Sequence, residues 1–276
     1  MSKPSGAIDM TQGKPINLML RFALPMMIGS IFQSLYSMVD SAVLGRFVGS
    51  HALAAIGATT STTGLILLLA TGVTSAISIV LSQYVGANDT DRVRKGIVAS
   101  GWITLLLGVV LGLISVFAAR PLMQLLKTPE DVIDMSVLYI QIVCGCGIAQ
   151  FAYNAAASIL RALGDSKTPL YFLILCSILN VILDLISVIG LNMGVAGVAV
   201  ATVGSQAISA AICILVMFRK YPDLMPKRHT LRPDMPVSLK IFGMGAQMAL
   251  QSLFLSVGMM VITRVINSYG SNVVAA

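Results

Sequence analysis

Residues 21–44, RFALPMMIGSIFQSLYSMVDSAVL, form an apolar run long enough to cross a bilayer, and they carry a carboxylate near its far end. About 20 apolar residues suffice to span the hydrocarbon core as a helix. An acid inside such a run costs roughly 2.5–3.5 kcal/mol on insertion scales and persists where it faces a protein interior or a wet cavity. Asp40 is therefore a candidate functional residue. At helical spacing Gln33, Tyr36 and Asp40 share one face, so the acid belongs to a polar stripe turned away from lipid. Pro25 removes a backbone donor from the same helix and permits a bend in it.

Apolar runs of this length recur along the 276-residue chain, which is 57% hydrophobic and 11% charged. Its mean hydropathy is +0.89. Such a composition excludes a soluble domain, and the runs are too long and too uniform for a transmembrane barrel. The expected fold is an all-α integral membrane bundle. Spans are expected near 17–45, 52–84, 95–119, 132–160, 169–190, 195–218 and 237–267. Residues 1–15 read as a polar tail with no cleavable leader, 16–218 as six helices and 219–236 as a linker. Residues 237–276 read as the start of a second lobe. Fourteen of the eighteen basic residues fall at one end of the spans, leaving Arg46, Arg120, Lys127 and Arg264 at the other. Positive loops stay cytoplasmic, so the N-terminus is expected inside and the net charge of +7 is a topology signal. No basic face on a soluble domain suggests nucleic-acid binding.

The linker contains Pro222, Pro226, Pro233 and Pro236, and the last span echoes the first. Gln251-Ser252-Leu253, Val257, Val261 and Arg264 reproduce Gln33-Ser34-Leu35, Val39, Val43 and Arg46. Gly270-Ser271 and Ala275-Ala276 likewise match Gly49-Ser50 and Ala54-Ala55. Six spans separate the copies, which implies a parallel repeat about an axis along the membrane normal. The second copy stops where the first continues into its next helix, so a truncated chain is expected.

A second intramembrane acid, Asp184, has Asn180 one turn before it, with Ser177 and Ser187 extending that side. Thr202 and Gln206 share a face of the sixth span, and Gln150, Asn154 and Ser158 one of the fourth. Two carboxylates in one bundle suit cation chemistry. Convergence raises the affinity of at least one for a proton, and Na⁺ can replace it among carboxylate, amide and hydroxyl oxygens. Asp165 and the remaining acids fall in the tail, in loops or at helix starts. The four cysteines have no metal-ligand spacing and read as small core residues, and His51 and His229 as solvated loop residues.

The segment Pro25 to Gly57, with Val39-Asp40, Val43-Leu44-Gly45-Arg46-Phe47-Val48-Gly49 and Leu53-Ala54-Ala55-Ile56-Gly57, resembles the first two helices of multidrug and toxic compound extrusion (MATE) transporters. Gln83-Tyr84-Val85-Gly86-Ala87, Ile159-Leu160-Arg161-Ala162-Leu163-Gly164-Asp165 with Thr168-Pro169, and Asn180 to Asp184 carry the same resemblance. It implies an exporter of two six-helix lobes that alternates between outward-open and inward-open states, driven by H⁺ or Na⁺, with no other cofactor. Carried over, the cation site of the branch with an N-lobe site becomes Asp40, Asn180, Asp184 and Thr202. Gln33, Tyr36, Asn154 and Gln206 neighbour it, and Pro25 marks the bend of the first helix. Residues 237–276 contain no Asp or Glu, which separates this chain from the branch with an acid on the seventh helix. The implied cargo is small organic cations or other amphipathic compounds, and the implied setting is the plasma membrane, as a multi-pass monomer in its lipids. A flippase for lipid-linked oligosaccharides shares the architecture but calls for basic residues inside the cavity. Intramembrane aspartyl proteolysis calls for Tyr-Asp and Gly-x-Gly-Asp motifs, which are absent. A fragment inactive by itself is the remaining alternative.

Overall fold

The structure is a computed structural model that describes residues 14–224, 226 and 232–268, with helical side chains at all of these but Pro15, Ser61, Val257 and 259–268. It is helical throughout, and no strand occurs among the described residues. Helices α1 (Pro15–Phe47), α2 (Ser50–Gly86) and α3 (Thr90–Leu125) run up, down and up from the end that carries most of the basic residues. Helices α4 (Glu130–Gly145) and α5 (Ile148–Ala162) return to that end, and α6 (Lys167–Leu185), α7 (Gly194–Lys220) and α8 (Met235–Ser268) complete the chain. Five helices among the described residues are long and apolar enough to cross a membrane, and α4 with α5 makes a sixth crossing if the pair is one span. Large apolar side chains such as Phe117, Leu125 and Phe254 point outward. That surface suits a hydrocarbon solvent.

Local chemistry sets the helix boundaries. Pro15 sits in the first turn of α1, where a missing N–H costs nothing. Gly49, at φ +112°, makes the tight turn into α2 that a side chain would strain. The Asp89 carboxylate accepts from the Arg92 amide at 3.0 Å and caps α3. Helix α1 continues through a buried Pro25. Along it, Ser30, Ser34, Ser37 and Ser41 each donate to the carbonyl one turn back. Those hydroxyls are thereby satisfied within the helix.

Two expected spans come out differently. The single helix expected over 132–160 is broken at Cys146-Gly147, and its halves bend by 43°. Helix α3 crosses closely at the break: a Cβ on Gly112 would lie 2.9 Å from the Gly145 carbonyl, and one on Gly108 would lie 2.9 Å from Ile148. The span expected over 169–190 is α-helical only to Leu185 and continues as a π-helical turn, Ile186–Gly190. Between the end of α7 at Lys220 and the start of α8 at Met235, the first residues are anchored. Tyr221 and Leu224 are buried, and Arg94 donates to the Asp223 carbonyl through Nε at 2.8 Å and Nη2 at 2.6 Å. His51 opens α2 rather than a loop, with Nδ1 3.2 Å from Asp131 Oδ2. Residues 1–13 of the N-terminal tail, His229, Gly270-Ser271 and Ala275-Ala276 lie outside the described residues, as do the side chains of Val257, Val261 and Arg264.

The largest apolar cluster joins α2, α3, α5 and α7 in the basic half and takes in Val237 and Ile241 of α8. A smaller one, with Val43, Leu44, Val188, Val195 and Val198, closes the opposite end. The candidate site lies beside this second cluster.

Candidate functional site

Asp184 occupies the last turn of α6 and Asp40 the second half of α1, and α1 packs along α6, so the two acids meet near the non-basic end. Asp184 and Asn180 are 0% exposed and Thr202, across on α7, is 5% exposed. Asp40 is half-buried, which leaves the cluster approachable from its side. The carboxyl groups of Asp40 and Asp184 interact at close range, and Tyr36 lies between Asp40 and Thr202. The Asn180 amide donates to Thr202 Oγ1 at a long 3.5 Å.

Both oxygens of Asp184, Oδ1 of Asp40 and Oδ1 of Asn180 are buried without a well-formed hydrogen bond to any described residue. Buried polar atoms are nearly always paired, because an unpaired one forfeits its solvation for nothing. Four such oxygens in one place, two of them on one carboxylate, form an electron-rich nest that a small cation would satisfy. All are hard donors, suited to H⁺ or Na⁺ and poorly to soft metals. No group of three or more His, Cys, Asp or Glu side chains is arranged for a metal among the described residues.

The structure thus gathers Asp40, Tyr36, Asn180, Asp184 and Thr202. It leaves out Gln33, which is exposed on α1 about ten ångströms along the helix from Asp40. Asn154 on α5 and Gln206 on α7 are half-buried and make no hydrogen bond to the cluster. On α7 the buried polar face runs through Thr202 and Ser205, which are more deeply buried than Gln206. Two members have no counterpart in the sequence reading. Tyr139 of α4 packs against the apolar cluster beside the carboxyls, and the π turn begins two residues after Asp184. Such turns put an extra residue into a helix and are frequent at functional sites. Gly197 lets α7 approach the turn, since a Cβ there would lie 3.1 Å from Ser187 Cβ.

Asp165 is the larger correction. Read as a loop acid, it is 0% exposed and receives Lys220 Nζ at 2.6 Å, Thr168 Oγ1 at 2.7 Å and the Thr168 amide at 3.0 Å. A Schellman turn with Gly164 at φ +84° aims it inward, the Asp165 amide donating to the Leu160 carbonyl at 2.9 Å. Burial and this carboxylate push the Tyr221 phenol above its usual range. The cluster pins the end of α7 to the α5–α6 turn. Asp165→Ala strands Lys220 and is expected to destabilise the fold by on the order of 3 kcal/mol. Thermal unfolding in detergent reads this, and the Asp165→Ala/Lys220→Met pair recovers most of the loss.

Fold and site together define a polytopic helical membrane protein with a buried dicarboxylate cluster in its first lobe. The MatE family profile matches residues 25–186, more than half of the chain, and the chain belongs to the MATE family. It is 33% identical over 271 residues to the probable multidrug resistance protein YpnP of Bacillus subtilis, covering 98% of this chain and 60% of that protein. The multidrug export protein MepA of Staphylococcus saprophyticus is 23% identical, over 94% of this chain and 57% of that one. Among solved structures, a MOP superfamily transporter from Pyrococcus furiosus superposes with a TM-score of 0.87 at 25% identity, covering 100% of this chain and 61% of its own. The chain spans about 60% of the length of the relatives it matches.

Proposed function

We propose that this chain supplies the cation-coupling lobe of a multidrug efflux antiporter, which exports small organic, mainly cationic or amphipathic compounds in exchange for H⁺ or Na⁺. The observation that carries the reading is the nest of four unpartnered oxygens from Asp40, Asn180 and Asp184. Asp40, Asn180, Asp184 and Thr202 hold the cation, and Tyr36 links the α1 acid to α7. The basic end lies in the cytoplasm by the distribution of positive charge, in the plasma membrane, with one full-length chain as the transporting unit.

Binding a cation cancels charge between α1 and α6, where repulsion otherwise opposes their approach. Helix α1 then settles against α6 and α7, and the wall it presents to the substrate changes. A ligand shifts a conformational equilibrium only by its differential affinity for the two states, and charge cancelled at low dielectric supplies such a difference. Dye efflux by the full-length transporter in proteoliposomes tests this, with the proton and sodium gradients collapsed one at a time. One collapse is expected to stop efflux. Efflux that survives both, together and separately, would rule out the coupled mechanism.

A further inference from the structure

The seam between α6 and α7 carries charge at its basic end that the fold leaves unanswered. Lys220 of α7 turns inward, where Asp165 takes its charge and Nζ donates to Thr168 Oγ1 at 3.2 Å. That contact brings together the sequence neighbours of Thr168 and Lys220, which are Lys167 and Arg219, and both are exposed. Neither forms an ion pair among the described residues. Arg219 lies in the last turn of α7, where the helix dipole favours a cation, but Lys167 opens α6, where the dipole disfavours one. Two unpaired positive charges at one rim repel each other and call for a negative group from outside the lobe.

Beyond this rim the surface turns apolar. Tyr171, Ile178 and Ile182 follow Lys167 along one exposed face of α6, and Leu215 and Ile208 continue from Arg219 on α7. Tyr171 to Ile182 spans about 16 Å of helix, half of a hydrocarbon core about 30 Å thick. The face is therefore as deep as one leaflet. Helix α8 packs on α2 and α3 and leaves it open. Cations outermost, a tyrosine next and aliphatic side chains within match the layers of a bilayer from headgroup to acyl chain.

The geometry points to the α6–α7 seam as a binding site for one anionic glycerophospholipid of the adjacent leaflet. Its phosphate lies between Lys167 and Arg219, its glycerol beside Tyr171 and its acyl chains over Ile178, Ile182 and Leu215. Charge complementarity selects the headgroup, because a zwitterionic lipid brings an ammonium to the same two cations. Tyr171→Trp places a reporter at the rim, and the signal of the parent chain, whose one tryptophan is Trp102, is subtracted. In phosphatidylcholine vesicles, quenching by chain-brominated phosphatidylglycerol is expected to show association roughly fivefold or more above that of chain-brominated phosphatidylcholine. Lys167→Gln/Arg219→Gln should bring this ratio close to one, and Lys167→Arg/Arg219→Lys should keep it. Arg92→Gln/Lys95→Gln removes the same charge from α3 at the same end, and should keep it too. A ratio near one in the reporter chain overturns the site. So does an equal fall in both glutamine pairs, which would assign the preference to the general surface potential. Loss of the preference on adding soluble glycerol phosphate also overturns it, since the rim would then take a free phosphate rather than a lipid.

Discussion

Asp184→Asn is expected to weaken cation-driven export strongly while leaving the fold at least as stable as before. In the full-length transporter, efflux per unit gradient should fall by roughly 5- to 150-fold, the range set by a coupling free energy of 1–3 kcal/mol. In the chain itself the thermal midpoint should rise. The opposite signs share one cause. Asp184 is buried with both oxygens unpaired and a second carboxyl beside it. Removing one charge relieves repulsion and desolvation, and it removes the ligand that distinguishes a bound cation from none. Asp40→Asn should act in the same direction with a smaller rise, because Asp40 is half-buried. Parallel unfolding and efflux measurements decide the matter. A lower midpoint for Asp184→Asn would mean that the carboxylate makes a stabilising contact in the lobe, and unchanged efflux would remove it from coupling.

The helical bundle was legible because hydrocarbon leaves little choice: runs such as 21–44 must be helices, and basic loops must collect at one end. The bend at Cys146-Gly147 was not, because its cause is a close approach of α3, through Gly108 and Gly112, from far along the chain. Leu185-Ile186-Ser187-Val188 likewise reads as ordinary helix, since nothing in side-chain periodicity marks a π turn.

At the site, the acids stood out because a charge inside an apolar run is costly wherever it faces. The half of the nest on α7 was less distinct. Thr202 and Gln206 carry equal polar weight in sequence, and the packing of α6 against α7 sets which of Thr202, Ser205 and Gln206 turns inward. Asp165 shows the converse error. Next to Gly164 and before Ser166 it reads as a solvated loop acid, and it is buried because Lys220, fifty-five residues away, comes to meet it. Pairing between distant segments is invisible to local pattern.

The seam between α2 and α8 carries the second large expected effect. The two helices touch in the basic half, where a Cβ on Gly72 would lie 2.9 Å from the Ala249 amide and 3.0 Å from the Gly245 carbonyl. One on Gly245 would lie 3.0 Å from the Val73 side chain and 3.1 Å from its Cα. The close neighbours of Gly72 are all backbone or Cβ atoms, so no rotamer change admits a larger residue there. The same seam is tied at its rim by Lys240 Nζ donating to Gln83 Oε1 at 3.0 Å and lying over the Tyr84 ring at 5.1 Å. Apolar contacts of Val237 and Ile241 complete it. This is the only strong hold α8 has apart from its contact with α3 among the described residues, so the seating of α8 on the lobe depends on it. Gly72→Leu should cost roughly 1–3 kcal/mol of overpacking and lower the ratio of closed to open seam by about 5- to 150-fold. Crosslinking of a Gln83→Cys/Lys240→Cys pair reads the closed population directly. It should be fast in an otherwise unchanged chain and strongly slowed by Gly72→Leu, whereas Gly243→Leu, where a Cβ meets nothing within 4 Å, should leave it unaffected. Equal crosslinking in all three backgrounds would show that the basic end is held shut by something other than this glycine contact.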